Sequence, residues 1–155
     1  MKTVNEKNKI FNELIQYNND RIDGYEKVSE ETKIVDADLR ALFMKMANDS
    51  RSYRKGLGNL VISMDGKVET EGSMSAGIHR AWIDFKTAIT GKNRSSILSS
   101  CEFGEEAIVT AYDAVSTDTE SFTTEELAII SEQRNGLRNA SGAITEYKKL
   151  NGVVA

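Results

Sequence analysis

The chain has 155 residues, 39% hydrophobic and 28% charged, with a formal net charge of −4. That length and balance fit one folded domain, residues 1–155, and exclude a disordered chain. The acidic surface argues against general nucleic-acid binding, since it repels phosphate backbones. The single cysteine, Cys101, leaves no disulfide within the chain. No window approaches the roughly 20 apolar residues of a membrane span, and the polar start at Met1 to Phe11 is unlike a secretion signal. A cytoplasmic location is expected.

There is no proline, so long uninterrupted helices are permitted. A first helix is expected from about Val4 to Thr32. Thr3 and Glu6 have capping-box spacing, and the apolar stripe runs through Phe11, Leu14, Ile15, Ile22, Tyr25 and Val28. Gly24 inside it predicts a bend or a close helix contact. A second helix is expected from the N-cap residue Asp36, with a stripe from Leu39 and Phe43 through Met46, Tyr53 and Leu57 to Met64. The turn residues Asp65, Gly66, Gly72, Ser73, Ser75 and Gly77 then break the pattern.

A short helix is expected over Ile78 to Ile89, with Trp82 and Phe85 on its apolar face and Gly91 at its C-cap. A helix over Arg94 to Val115 follows. The last helix has a capping box at Thr123 and Glu126, with Phe122 and Leu127 placed to staple it. The expected fold is all-α: a ferritin-like four-helix bundle, with the short helix lying in a long crossover between the second and third long helices, preferred for the long linker over a simple up-down bundle with a broken third helix.

Each long stripe loses its apolar character near its middle. Asn18 falls between Ile15 and Ile22, and Asp49 with Ser50 falls between Met46 and Tyr53. Glu105 falls between Cys101 and Ile108, and Gln133 with Arg134 falls between Ile130 and Leu137. Folding the helices in pairs brings these breaks to one level. The expected central polar layer is Asn18, Asp49, Glu105 and Arg134. An arginine among carboxylates neutralises them without a metal, so a buried hydrogen-bond network that fixes helix register is the leading reading. The alternative is a divalent-metal site with carboxylate ligands Glu102, Glu105 and Asp49, helped by His79. Against it, the chain has a single histidine and no Glu-x-x-His.

His79 is read as a packing or hydrogen-bonding residue beside Trp82, with a metal or proton-transfer role as the alternative. Cys101 faces inward and reads as a small buried hydrophobe. Trp82 and Tyr112 could line a small-ligand pocket. No constellation for nucleophilic catalysis and no phosphate loop is present, so no catalytic residue is assigned.

Asn18-Asn19-Asp20 followed by Asp23-Gly24-Tyr25, then Leu42-Phe43, Gly72-Ser73, His79-Arg80-x-Trp82, and Glu102-x-Gly104-Glu105 with Tyr112 form an ordered set. In these residues the chain resembles a bacterial family of ferritin-like four-helix-bundle proteins that carries only a domain-of-unknown-function label. The resemblance implies the crossover topology and no established reaction. Relatives often carry a histidine in the last helix and this chain has none there, which weakens a metal site further. The expected function is therefore non-enzymatic and without a cofactor, through contacts with a protein partner or a homo-oligomer. The alternative is a metal-binding protein for iron, manganese or zinc, with an oxidase or storage role.

Overall fold

The structure, a computed structural model, describes residues 2–30, 37–69, 76–87 and 94–154, with side chains for all of these except Ala76 and residues 151–154. Among the described residues, five helices follow in chain order: α1 (Val4–Glu30), α2 (Ala37–Ser63), α3 (Ala76–Thr87), α4 (Arg94–Ser116) and α5 (Thr124–Val154). The described residues contain no strand. None of the helices is long and apolar enough to cross a membrane. Of the expected boundary residues, Thr32, Asp36, Gly72, Ser73, Ser75, Ile89 and Gly91 lie outside the described residues. Gly77 lies within α3, which starts two residues before the expected Ile78.

Both capping boxes form. Thr3 N donates to Glu6 Oε1 and Glu6 N donates to Thr3 Oγ1, each at 3.1 Å. The same reciprocal pair joins Thr123 and Glu126 at 2.8 and 3.1 Å. These bonds satisfy amides that the first helical turn leaves unpaired. After α2 the chain turns through Asp65, whose φ of 58° is left-handed. Gly66 N donates back to Val61 O at 2.9 Å, a bond of the kind that closes a helix C-terminus.

The directions of the helices follow from which residues meet. Asn12 reaches Lys67 O just past the end of α2, and Asn18 takes a bond from Ser50, so α1 and α2 are antiparallel. Tyr25 meets Cys101 and Asn18 meets Tyr112, so α1 and α4 are antiparallel too. α2 and α4 therefore run parallel, and the described residues between them lie along α1. Asn12 and Gln16 hold the backbone of Lys67 and Glu69, His79 meets Asp20, and Arg94 meets Asp38. α5 closes the arrangement by packing on α4 and α2.

α3 sits in the seam of α1 and α4. Its Trp82 and Phe85 join Tyr25 and Phe43 in one aromatic cluster, with neighbouring ring centroids 5.2–5.7 Å apart. Two glycines make the space. A Cβ on Gly24 would lie 2.9 Å from Trp82 Cε3, and one on Gly104 would lie 3.1 Å from Trp82 Cε2. The glycine in the first helix is thus a close contact.

Candidate functional site

The middle of the molecule is polar. Arg21 on α1 is 1% exposed and Glu105 on α4 is fully buried. Arg21 Nε donates to Glu105 Oε2 at 3.0 Å and Nη2 donates to Oε1 at 2.8 Å, a two-bond pairing. Arg21 Nη1 donates to Ser50 Oγ at 2.8 Å and to Met46 O at 3.0 Å, both on α2. On the other side, Tyr25 OH donates to Glu105 Oε1 at 2.5 Å and lies 3.2 Å from Cys101 Sγ.

The chain of bonds continues across the helices. Ser50 Oγ donates to Asn18 Oδ1 at 2.8 Å, and Asn18 Nδ2 donates to Leu14 O and to Tyr112 OH at 2.9 Å. Tyr112 OH donates to Gln133 Oε1 at 2.7 Å, and Gln133 Nε2 donates to Tyr53 O at 3.1 Å. Four long helices are thereby tied to one level through side chains with nearly all their hydrogen-bonding capacity used. A buried charge pair is tolerable only on that condition, because each ion has lost its hydration.

The electrostatics hold the thiol and the phenols of this centre in their protonated forms. Burial opposes the Arg21 charge, but Glu105 beside it outweighs the penalty and holds the guanidinium above its ordinary range. Burial, then Glu105, pushes the Cys101 thiol well above its ordinary value. Burial, then Cys101 and Glu105, does the same to Tyr25, and burial raises Tyr112. Neither the thiol nor a phenol is poised to act as a nucleophile or base, since both chemistries need the deprotonated form.

Asn18 and Glu105 lie in this layer. Asp49 and Arg134 do not. Asp49 pairs with Lys45 at 2.8 Å on the outer side of α2, and its neighbour Ser50 points inward. Arg134 pairs with Asp113 at 2.5 Å near the surface, and its neighbour Gln133 points inward. Both differences are one residue, about 100° of rotation on a helix. The cation comes from α1 as Arg21, a residue the sequence reading did not single out. Its signal was the spacing Leu14, Asn18, Arg21, Tyr25, Val28, an inward-facing series in which Arg21 occupies a core position.

The other candidates are dispersed. His79 is half-exposed on α3 and its Nδ1 lies 3.0 Å from Asp20 Oδ1. Glu102 accepts from Thr145 and Lys148, which hold its carboxyl below the ordinary range. Among the described residues, no three His, Cys, Asp or Glu side chains come together to hold a metal ion. Trp82 and Tyr112 are both buried, and the space beside Trp82 is taken by Gly24 and Gly104. A cavity of about 490 Å³ lies instead between α2 and α5, lined by Tyr53, Gly56, Leu60, Glu125, Glu132 and Gln133 among others.

Fold and centre together define an all-α protein whose helices are locked by a closed, self-neutralised polar network. The family described as Domain of unknown function (DUF2383) matches residues 6–118, and the chain belongs to it. The matched stretch covers α1 to α4 and includes Arg21, Ser50 and Glu105. No curated protein and no solved structure matches the chain.

Proposed function

We propose that this protein is a non-enzymatic, ferritin-like four-helix bundle that acts through protein contacts or self-association, with an arginine where related bundles hold metal. The observation that carries the reading is the two-bond pairing of Arg21 with Glu105 at 2.8 and 3.0 Å, with both side chains out of solvent. A bundle metal site needs several inward carboxylates and histidines around a vacant position. At the central level the one inward carboxylate among the described residues is Glu105, its charge is already balanced, and a guanidinium at the same place repels a cation. Parallel α2 and α4 with a long return between them support the ferritin-like assignment.

The test is elemental analysis of untagged protein, with melting temperature measured before and after adding iron, manganese or zinc. Metal well below one atom per chain and no thermal shift are expected. Stoichiometric metal, or a clear rise in melting temperature, overturns the reading in favour of the carboxylate metal protein.

A further inference from the structure

The cavity of about 490 Å³ between α2 and α5 has the size of a small-molecule site. Gln133 lines it as the last side chain of the buried network. Its Oε1 accepts from Tyr112 OH at 2.7 Å, and its Nε2 donates one hydrogen to Tyr53 O at 3.1 Å. Tyr112 OH already accepts from Asn18 Nδ2, so its own proton has to go to Gln133. These bonds fix which end of the Gln133 amide is the carbonyl. The second N–H of Nε2 has no acceptor among the described residues, although Gln133 is only 5% exposed. Gly56 leaves that N–H uncovered: a Cβ there would lie 3.2 Å from Nε2. The network therefore holds a buried donor aimed at the cavity, and such a donor is costly without an acceptor.

The rest of the lining is acidic and hydroxylic. Glu125 and Glu132 of α5 stand on it, and no lysine or arginine among the described residues does. Neither carboxylate has an ion pair or hydrogen bond among the described residues. Ser52, Tyr53, Asn59 and Ser63 come from α2, and Leu60 and Ile129 form the apolar part.

We infer that this cavity binds a small hydroxylated organic cation of the amino-sugar class, a ring that carries an ammonium group beside hydroxyls. Each feature of the lining removes a competitor. The Gln133 N–H needs an oxygen, which a simple alkylamine does not offer. The glutamates make the cavity negative, so an anionic ligand is repelled and a neutral sugar leaves their charge unmatched. Glu125 and Glu132 are seven positions apart, about 10 Å along the helix, too far to share one metal ion. Glu132 and Gln133 are adjacent, so an ammonium group and a hydroxyl oxygen close together on one ligand reach both. The hydroxyls of Ser52 and Ser63 and the amide of Asn59 each donate and accept, as the hydroxyls of a sugar do. Leu60 and Ile129 offer an apolar surface to the C–H face of the ring. This ligand site goes beyond the reading of a bundle that works through contacts, and neither depends on the other.

Heteronuclear NMR of untagged full-length protein, with glucosamine, glucose and methylamine added at one ionic strength and about pH 6, where the amines are charged, tests the site. Glucosamine should move the side-chain amide signal of Gln133 saturably, at several-fold lower concentration than glucose or methylamine. Glu132→Gln should lower glucosamine binding to the level of glucose. Glu106→Gln, which removes the same charge from the exposed side of α4, should leave it unchanged. Gly56→Ala, which sets a methyl group against Nε2, should weaken it. No saturable shift at Gln133, equal affinity for glucose or methylamine, or equal losses from Glu132→Gln and Glu106→Gln overturns the site.

Discussion

The guanidinium of Arg21 and the carboxylate of Glu105 meet side by side, from α1 and α4, at 2.8 and 3.0 Å with neither side chain in solvent. The two residues are 84 positions apart in the chain. A contact so remote forms only when the helices are already in register, and once formed it penalises every other register, because a slipped helix would leave a bare charge in the core. The pair contributes little net stability by itself, since desolvating the two ions offsets most of their attraction. Its role is to make one arrangement of four helices far better than its neighbours.

The pairing predicts strong coupling. Arg21→Met and Glu105→Leu should each cost about 3–5 kcal/mol, because each strands the other charge in the core. The double variant should cost less than their sum by at least about 1 kcal/mol. Arg134→Ala, which breaks only the outer pair with Asp113, should cost under about 1 kcal/mol and add to Glu105→Leu without coupling. Urea denaturation of the five proteins measures all of this. Coupling of Glu105 with Arg134 in place of Arg21 would refute the assignment.

How far this was legible in the sequence depends on the residue. The stripe of α1 could be read because Phe11, Leu14, Ile15, Ile22, Tyr25 and Val28 are all apolar and all buried. Glu105 could be read because it interrupts a clear series between Cys101 and Ile108. Asp49 and Arg134 carry the charges expected of a polar layer, yet their uncharged neighbours Ser50 and Gln133 face inward. Phase to within one residue depends on how the helices rotate against each other, and that is decided by packing across the bundle. Arg21 was hidden for the opposite reason: an arginine in a helix is normally a surface residue, and only its distant partner Glu105 makes burial affordable.

The glycines predict opposite responses to one substitution. Gly24→Ala and Gly104→Ala gain about 1 kcal/mol of helix propensity but push a methyl group into Trp82, at 2.9 and 3.1 Å. Overpacking of this kind costs about 1–3 kcal/mol, so both variants should be net destabilised and should shift the emission of the chain's one tryptophan. Gly142→Ala has nothing within 4 Å and should stabilise by up to about 1 kcal/mol with unchanged emission. Thermal melts and fluorescence spectra of the three variants decide it; stabilisation at Gly24 would mean that Trp82 moves freely.

The buried thiol and phenols predict an alkaline limit. Cys101, Tyr25 and Tyr112 all hold their protons more tightly in the folded chain than in the unfolded one. Their stabilisation is therefore complete below the unfolded values and is lost as pH rises beyond them. Loss should begin near the ordinary cysteine value of 9.0 and steepen past the ordinary tyrosine value of 10.0. Each group contributes a slope of about 1.4 kcal/mol per pH unit, so together they should remove roughly 4 kcal/mol per unit above pH 10. Urea midpoints between pH 7 and 11 read the slope, and Cys101→Ala should remove its earliest part. Midpoints that stay flat across the range would contradict the burial of all three.

The two capping boxes look equivalent in sequence but differ in surroundings. Glu6 caps α1 at the surface, whereas Glu126 caps α5 and also accepts from Lys7 Nζ at 3.0 Å, with both side chains less than a tenth exposed. Glu126→Ala thus removes a cap and leaves an ammonium group without its carboxylate in a buried position. It should cost about 3 kcal/mol or more, several times the loss from Glu6→Ala. Lys7→Met should cost less than Glu126→Ala, because Glu126 keeps its bond from Thr123 N and the methionine chain fills the same space. Thermal melts of the three variants give the order. Equal losses for Glu6→Ala and Glu126→Ala would mean that the cap alone matters and that Lys7 does not tie the start of α1 to the start of α5.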